Sequence, residues 1–221
     1  MPTSFDIAGI AEALTLTRVS GAGSADLFRV LLCELAMGHP VSRETLAAAL
    51  GWTASQVTAA LNQVRSVEYD DHDNIVGYGL TLRETAHAFE MDGRRLYTWC
   101  ALDALMFPPM IGRTARVTSS CAATRAPVRM TVTPDAVCDI DPAGAMVSLV
   151  APDSSADVRS AFCCHVHFFA SAAAANAWAG AHARVAVVGV HDAFRLGQSL
   201  AQRLKEPALP SYSSGATEAR P

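Results

Sequence analysis

Residues 41–64 constrain the fold of this chain more than any other segment. Their sequence, VSRETLAAALGWTASQVTAALNQV, contains two short helical stretches separated by a tight turn. Ser42 and Thr53 stand where helix N-caps are expected, and Gly51 stands where the first helix must stop. The segment therefore predicts a helix-turn-helix.

A helix precedes this segment and a hairpin follows it. Apolar residues at helical spacing predict a helix that is capped by Ser24 and stopped by Gly38. Beyond residue 64, a polar turn at residues 70–74 separates two short strand-like stretches, as in the wing of a winged-helix domain. We therefore predict a winged-helix-like domain over residues 1–84.

Such a domain suggests a DNA-binding regulator, but its charge argues against one. Residues 1–80 hold four arginines and no lysine against nine acidic residues, and the second helix of the pair, residues 54–64, has no cation. DNA binding requires several Lys or Arg side chains to neutralise phosphates. The whole chain carries a net charge of −4, which does not favour nucleic acid or anionic lipid as a partner. We expect the domain to pack on the rest of the chain and cover a site.

The remaining sequence predicts a sheet with flanking helices. Strand-like stretches bounded by Gly, Pro or Asp lie at residues 115–118, 127–133, 145–150, 164–170 and 184–191. Helices are predicted at residues 171–181 and from a cap at Asp192 to about Leu204. Residues 94–112 are predicted to form a short helix or a turn-rich segment that Pro108 and Pro109 break. The fold class is therefore α+β, with a second domain over residues 85–206 built on a mostly antiparallel sheet with flanking helices. The Pro/Ser-rich tail, residues 207–221, is predicted to be disordered.

The cysteines are expected to be reduced thiols. The chain opens with Asp6 and Glu12 and lacks the basic start of a signal peptide, so we expect a cytoplasmic protein. Residues 160–183 have no charged residue, but their Cys, His and Asn content argues against a membrane span. Six cytoplasmic thiols are available for chemistry or for soft metals.

The neighbouring residues set Cys100 apart from three other cysteines. Cys33 and Cys138 fit small buried hydrophobic residues, and Cys121 fits a structural thiol in a turn. Cys100 differs because Asp103 lies three residues later in WCALDALMF, and these positions share a face if the segment is helical. The alternative is a solvated Asp103 beside a buried cysteine.

A vicinal pair, Cys163 and Cys164, leads into HVHFF. In an extended chain Cys163 shares a face with His165 and His167, whereas Cys164 shares the other face with Val166 and Phe168. One cysteine of the pair is then expected to point into a site while its neighbour packs. The paired spacings of structural zinc sites are absent. What remains is a site of thiols from distant positions with one carboxyl in apolar surroundings, which favour the neutral, proton-donating form of the acid.

The sequence closely resembles organomercurial lyase (alkylmercury lyase) of bacterial mercury resistance over almost its whole length. The matching motifs are GHPVSRETLAAALGW, EYDDHDNIVGYGLTLRET, RRLYTWCALDALMFPPMIGRTARV, AFCCHVHFFAS and HDAFRLGQ. The resemblance implies an N-terminal winged-helix-like domain joined to a sheet-containing catalytic domain. It also implies protonolysis of a carbon–mercury bond, which gives a hydrocarbon and Hg(II).

Carried over by position, the resemblance implies that Cys100 and Cys163 are the catalytic, mercury-binding cysteines and that Asp103 is the catalytic carboxylate. The family's additional cysteine matches Cys121, and Trp99 either walls the pocket or packs in the core. No cofactor is implied; low-molecular-weight thiols or mercuric reductase would accept the Hg(II). The alternative function is a non-catalytic, thiol-based mercury-binding or mercury-sensing winged-helix regulator.

Overall fold

The structure is a computed structural model that describes residues 23–151, 157–182 and 185–205. The helices are Ser24–Leu35 (α1), Arg43–Leu50 (α2), Ala54–Gln63 (α3), Ala101–Ile111 (α4), Val158–Ala161 (α5), Ala172–Gly180 (α6) and Val190–Lys205 (α7), with a 3-10 helix at Cys163–His165. The strands are Glu68–Tyr69 (β1), Ile75–Tyr78 (β2), Leu80–Thr81 (β3), His87–Met91 (β4), Arg94–Thr98 (β5), Ala115–Ser120 (β6), Pro127–Val132 (β7), Val137–Asp141 (β8), Met146–Val150 (β9), Phe168–Phe169 (β10) and Val185–Gly189 (β11). The predicted α+β class is confirmed. None of the helices in the described ranges is both long and apolar enough to cross a bilayer.

The helix-turn-helix is built by the predicted capping residues. Ser42 Oγ accepts a hydrogen bond from the backbone N–H of Thr45 at 3.1 Å, and Gly51 ends α2 with a φ of 67°. Thr53 begins α3 with a capping box that it shares with Gln56. Because each cap satisfies backbone groups that a helix end leaves unpaired, these few residues fix the bounds of both helices.

Helix α1 departs from the prediction at its cap and at its cysteine. Its N-cap is Gly23, at a φ of 80°, and Ser24 is the first helical residue. The prediction that Cys33 is buried is wrong, because this residue lies beyond the core-facing stripe of the helix and is exposed. Cys138 is also exposed, because β8 lies at a sheet edge and buries the neighbouring Val137 instead. The buried residues of α1 are Leu27, Phe28, Leu31, Leu32 and Leu35.

The large sheet runs from the wing into the second half of the chain without a break. Its strand order is β1-β2-β3-β5-β4-β6-β7-β8, and neighbouring strands are antiparallel. Wing strand β3 pairs with β5 through Leu80 opposite Thr98 and Thr81 opposite Tyr97. The domain boundary at residue 84 stays a prediction, and the strand pairing crosses it.

Strands β4 and β5 correct the sequence prediction, which assigned residues 94–98 to a helical or turn-rich segment. They form a hairpin whose turn, Asp92–Gly93, has positive φ at both residues. Asp-Gly is a preferred two-residue hairpin turn, so the signal was present in the sequence. β8 is a further strand that was not predicted.

Helix α4 lies in the core and contains the two prolines that were expected to break it. Pro108 and Pro109 remove two backbone donors from the helix. Burial offsets this loss, because every residue of α4 except Ile111 is buried and each large apolar side chain contributes about 1.5–3 kcal/mol. Lys205 Nζ at the end of α7 also donates a hydrogen bond to the Pro109 carbonyl at 2.8 Å.

The second sheet is smaller, and its strand order is β10-β9-β11. The predicted helix at residues 171–181 is confirmed, with Ser171 as the N-cap of α6. β11 is half-buried rather than buried. The predicted cap at Asp192 is wrong, because α7 follows β11 directly at Val190 and Asp192 lies in its first turn. The predicted tail, residues 207–221, lies outside the described residues.

Candidate active site

Cys100, Asp103 and Cys163 meet in the core of the molecule. Their two Sγ atoms and a carboxylate oxygen all lie within 4.8 Å of one another. Cys163 Sγ donates toward Asp103 Oδ2 at 3.9 Å. All three side chains are buried, with at most 1% of their surface exposed. In the part of the chain that the structure describes, this is the one group of three or more Cys, His, Asp or Glu residues that could hold a metal ion.

The N-terminus of α4 positions two members of this cluster. Cys100 is the N-cap, and its Sγ accepts a hydrogen bond from the backbone N–H of Asp103 at 3.4 Å. The partial positive charge of a helix N-terminus stabilises negative charge on a thiolate placed there. Asp103 lies in the first turn and is fully buried, so the predicted i, i+3 proximity is confirmed and the alternative of a solvated carboxyl is wrong.

Cys163 reaches the cluster from a turn of 3-10 helix rather than from the predicted strand. The backbone N–H of Val166 bonds the Cys163 carbonyl at 3.2 Å, and the N–H of Ala101 bonds the Val166 carbonyl at 3.1 Å. The chain must therefore turn before β10 in order to join the start of α4. This turn buries Cys163 beside Asp103, but Cys164 is exposed instead of packing on the other face, and His165 is exposed instead of lying beside Cys163.

Ser148 fixes this turn to β9. It is fully buried, and its Oγ donates to the His165 carbonyl at 2.8 Å and accepts from the His167 N–H at 2.9 Å. Both hydrogen-bonding roles of the hydroxyl are used, so its burial carries little penalty. Sequence reasoning missed Ser148, although a serine within the apolar strand MVSLV was an available signal.

Trp99, which precedes Cys100, packs in the hydrophobic core. It is 7% exposed, and its ring lies edge-on to Tyr78 with centroids 5.7 Å apart. The guanidinium of Arg159 lies 4.6 Å from the centroid of the Trp99 ring. Sequence reasoning missed Arg159, because its partners are distant in the chain and no local pattern marks them.

Cys121 is buried outside the cluster. Burial raises the pKa of its thiol, but hydrogen bonds from the Thr124 hydroxyl and from the backbone amides of Ala170, Thr124 and Ala123 outweigh burial and lower the pKa below its ordinary value. The neighbouring Ala122 N–H bonds the Phe168 carbonyl at 3.0 Å. The turn therefore ties β6 to β10, which supports the predicted structural role of Cys121.

Comparisons with known proteins point to one family. Residues 80–202 match the family model described as "Alkylmercury lyase", and residues 8–79 match "Helix-turn-helix domain of alkylmercury lyase". The chain is 58% identical to an alkylmercury lyase of Pseudomonas putida over 182 residues, which cover 82% of this chain and 86% of the relative. It is 48% identical to an alkylmercury lyase of Streptomyces lividans over 199 residues, covering 88% and 92% of the two chains.

A solved structure shares the fold. A crystal structure described as the mercury-bound form of MerB2 superposes with a TM-score of 0.78 at 23% identity, and covers 90% of this chain and 98% of that one. The family models together span most of the chain, and the curated relatives match over most of their own length. The chain therefore belongs to the alkylmercury lyase family and is an enzyme of that type.

Proposed function

We propose that this enzyme cleaves the carbon–mercury bond of alkyl- and arylmercury compounds by protonolysis, with Cys100 and Cys163 as mercury ligands and Asp103 as the proton donor. The observation that carries the proposal is the convergence of two thiols and one carboxyl within 4.8 Å in a buried site. Thiolates are soft ligands and prefer soft metals such as mercury. The products are a hydrocarbon and Hg(II).

The two sulfurs activate the carbon. A carbon–mercury bond resists water because the carbon is a poor base and nothing assists the metal in leaving. When both thiolates coordinate the mercury of an organomercurial cation, they donate electron density to it and weaken its bond to carbon. The electron pair of that bond then accepts a proton, while the metal stays on the two sulfurs as Hg(II).

Asp103 supplies that proton. The Cys163 thiol points its proton toward Asp103 Oδ2, so the carboxylate can collect this proton as mercury takes the sulfur. If the carboxyl starts neutral, it already holds the proton, and the proton of the Cys163 thiol leaves with the anionic ligand that the organomercurial gives up on binding. In either case the neutral acid lies beside the carbon, where a positioned general acid contributes about 10²–10⁴-fold to the rate. The carboxylate is regenerated when the hydrocarbon leaves.

Product release requires an acceptor. Hg(II) bound by two buried thiolates is held tightly, so turnover calls for a low-molecular-weight thiol or the cysteine pair of mercuric reductase. The metal ligands and the proton come from the chain itself, so the reaction calls for no cofactor. Reduced thiols fit a cytoplasmic enzyme.

Hydrocarbon release from an arylmercury salt tests the proposal. Purified protein is incubated with phenylmercury and excess thiol, and benzene is measured over time beside a Cys100→Ala/Cys163→Ala control. We expect several equivalents of benzene from the wild type and none above background from the control. A protein that retains intact phenylmercury would instead support the mercury-binding or mercury-sensing alternative.

A further inference from the structure

A partly buried ion pair ties the segment that carries Cys163 to the N-terminal half of the chain. Arg159, in α5, lies four residues before Cys163, and Glu68 lies in β1 of the wing. Arg159 Nη1 donates to Glu68 Oε1 at 2.5 Å, across 91 positions of sequence. Only 7% of the Glu68 side chain is exposed, compared with 39% of Arg159.

The Glu68 carboxylate is held on its other side as well. Thr81 Oγ1 donates to Glu68 Oε2 at 2.5 Å and itself accepts from the Arg83 N–H at 3.0 Å. Gly77 faces Glu68 across the β1–β2 ladder, where a Cβ would collide with the carboxylate and with Thr81. A buried carboxylate is costly unless it is paired and hydrogen-bonded. The contacts with Arg159 and Thr81 meet this requirement and hold the Glu68 carboxylate in one position.

Arg159 connects the two segments that carry Cys163 and Cys100. Its backbone belongs to the helix that leads to Cys163, and its guanidinium packs on the ring of Trp99, the residue before Cys100. Arginine combines bidentate ion pairing with stacking on aromatic rings, so one side chain can hold both groups.

A second contact anchors the start of the same helix. Asp157 is the N-cap of α5, and its carboxylate also accepts a hydrogen bond from the Ser66 side chain. Ser66 lies in the left-handed region at a φ of 64°, two residues before Glu68. Both tethers of α5 therefore reach residues 66–68, where the chain passes from the loop after α3 into β1.

We propose that Glu68 and Arg159 are positioning residues that set the distance between the sulfurs of Cys163 and Cys100. The inference rests on the proposed function, because two-thiolate activation requires both sulfurs to reach one mercury atom. Without the ion pair, the short α5 helix loses its side-chain anchor on β1 and the Trp99 ring loses its cation. One thiol can still capture mercury, but the second sulfur is no longer held in place.

A mutant cycle tests this role. Arg159→Met keeps an unbranched apolar stem over Trp99 without the guanidinium, and Glu68→Gln keeps the carboxylate's shape without its charge. We expect each variant to lower the single-turnover rate of benzene release at least tenfold at saturating phenylmercury, with phenylmercury binding retained in mass spectra. The double variant should be no slower than Arg159→Met, because both residues act through one interaction. Arg159→Lys should recover part of the rate.

The control is Asp92→Asn, which removes the exposed Asp92–Arg113 pair, 2.8 Å long, at the turn of the β4–β5 hairpin. Its turnover should equal that of the wild type. Melting temperatures are measured for every variant, and if Arg159→Met does not fold, the near-isosteric Glu68→Gln carries the test.

The coordination number of bound Hg(II) gives a readout that is independent of cleavage. X-ray absorption is recorded with one equivalent of Hg(II), in a background where the exposed Cys33, Cys138 and Cys164 are changed to Ser. We expect two sulfur ligands in the wild-type site and a loss of the second in Glu68→Gln and Arg159→Met. Unchanged coordination and rate, or additive effects in the double variant, would overturn the inference. A two-sulfur wild-type site that releases no benzene would instead contradict the proposed function.

Discussion

Cys163 and Cys164 are adjacent in sequence, but only Cys163 is buried beside Asp103. We therefore expect Cys100→Ala and Cys163→Ala each to lower cleavage at least a hundredfold, because each removes one of the two sulfurs that activate the carbon. Cys164→Ala should keep most of the activity. The measurement is the initial rate of benzene release with excess thiol. A folded Cys164→Ala variant as inactive as Cys163→Ala would contradict the assignment.

Asp103→Asn separates mercury binding from proton transfer. The amide keeps the size of the carboxyl but cannot donate an acidic proton, so we expect a loss of two or more orders of magnitude in single-turnover cleavage. Phenylmercury should still bind through Cys100 and Cys163, and mass spectrometry of the loaded protein checks this. Near-normal release from a fully loaded variant would assign the proton to a cysteine or to water.

His87 makes the stability of the fold depend on pH. It is 4% exposed, and Nδ1 lies 2.8 Å from Ser119 Oγ. Burial, together with a smaller effect of His167, lowers the pKa of His87 to about 3, against an ordinary value of 6.5. The unfolded chain therefore binds more protons than the folded one between these values, and stability is lost as the pH falls from about 6.5 toward 3.

We expect the difference in unfolding free energy between the wild type and His87→Gln to change by up to about 1.4 kcal/mol per pH unit in this window and to stay constant above it. Urea denaturation at a series of pH values measures the difference. A pH-independent difference between pH 4 and 6 would show that His87 is charged in the folded protein.

At the residue scale, local spacing predicted that Cys100 and Asp103 lie together, but it predicted neither that Cys163 joins them nor which residues support the cluster. The contact between Cys100 and Asp103 follows from their i, i+3 spacing on a helix, which a sequence displays. The prediction for Cys163 and Cys164 assumed an extended chain, whereas the chain forms a 3-10 turn there. Ser148 and Arg159 act through contacts between elements that are distant in the chain, and no periodicity records such contacts. The resemblance to a known family named the residues that meet; the structure shows what holds them.

At the scale of single elements, the packing of α7 on α4 depends on one glycine. A Cβ at Gly197 would lie 3.2 Å from the backbone of Met106 and 3.3 Å from that of Leu105. Because backbone atoms cannot move aside as flexible side chains do, we expect Gly197→Ala to destabilise the fold by about 1–3 kcal/mol. This loss should exceed the gain of about 1 kcal/mol in helix propensity.

Gly180→Ala provides the matched control for Gly197→Ala. Gly180 ends α6, and nothing lies within 4 Å of a Cβ placed there. Its substitution should be neutral or stabilise by up to about 1 kcal/mol. Urea denaturation of both variants gives the comparison. Equal effects at the two positions would mean that α7 shifts away from α4 without cost.

The bounds of α2 and α3 were predicted from their capping residues, whereas the continuation of α4 and the turn at Cys163 were not predicted. Local hydrogen bonds and backbone conformation set these bounds at three residues, Ser42, Gly51 and Thr53. α4 continues through Pro108 and Pro109 because the core surrounds it, which is a property of the whole fold. The 3-10 turn at Cys163 likewise forms because its carbonyls and amides bond to α4 and β9.

At the scale of the whole molecule, the large sheet joins the helix-turn-helix to the segment that carries Cys100 and Asp103. The wing strand β2 is buried along its whole length, and β3 continues the sheet into β5, whose end leads directly to Trp99 and Cys100. A wing used in this way supports a site and is not free to enter a DNA groove. Covering and bracing the site is thus the role that the packing supports for this domain.

We therefore expect the full-length protein to show no sequence-preferring DNA binding, and no affinity tighter than the roughly micromolar limit of non-specific binding. Helix α3 carries no cation, and residues 1–80 hold four arginines and no lysine against nine acidic residues, so phosphate contacts would meet a like charge. Gel shifts at low salt with random and palindromic duplexes measure the affinity, and benzene release by the same preparation confirms that it is folded. The full chain is used because the sheet crosses residue 84, so a fragment that ended there would lose the partner of β3. A salt-dependent shift that prefers one duplex would show that the helix-turn-helix reads DNA despite its charge, and would revive the mercury-sensing alternative.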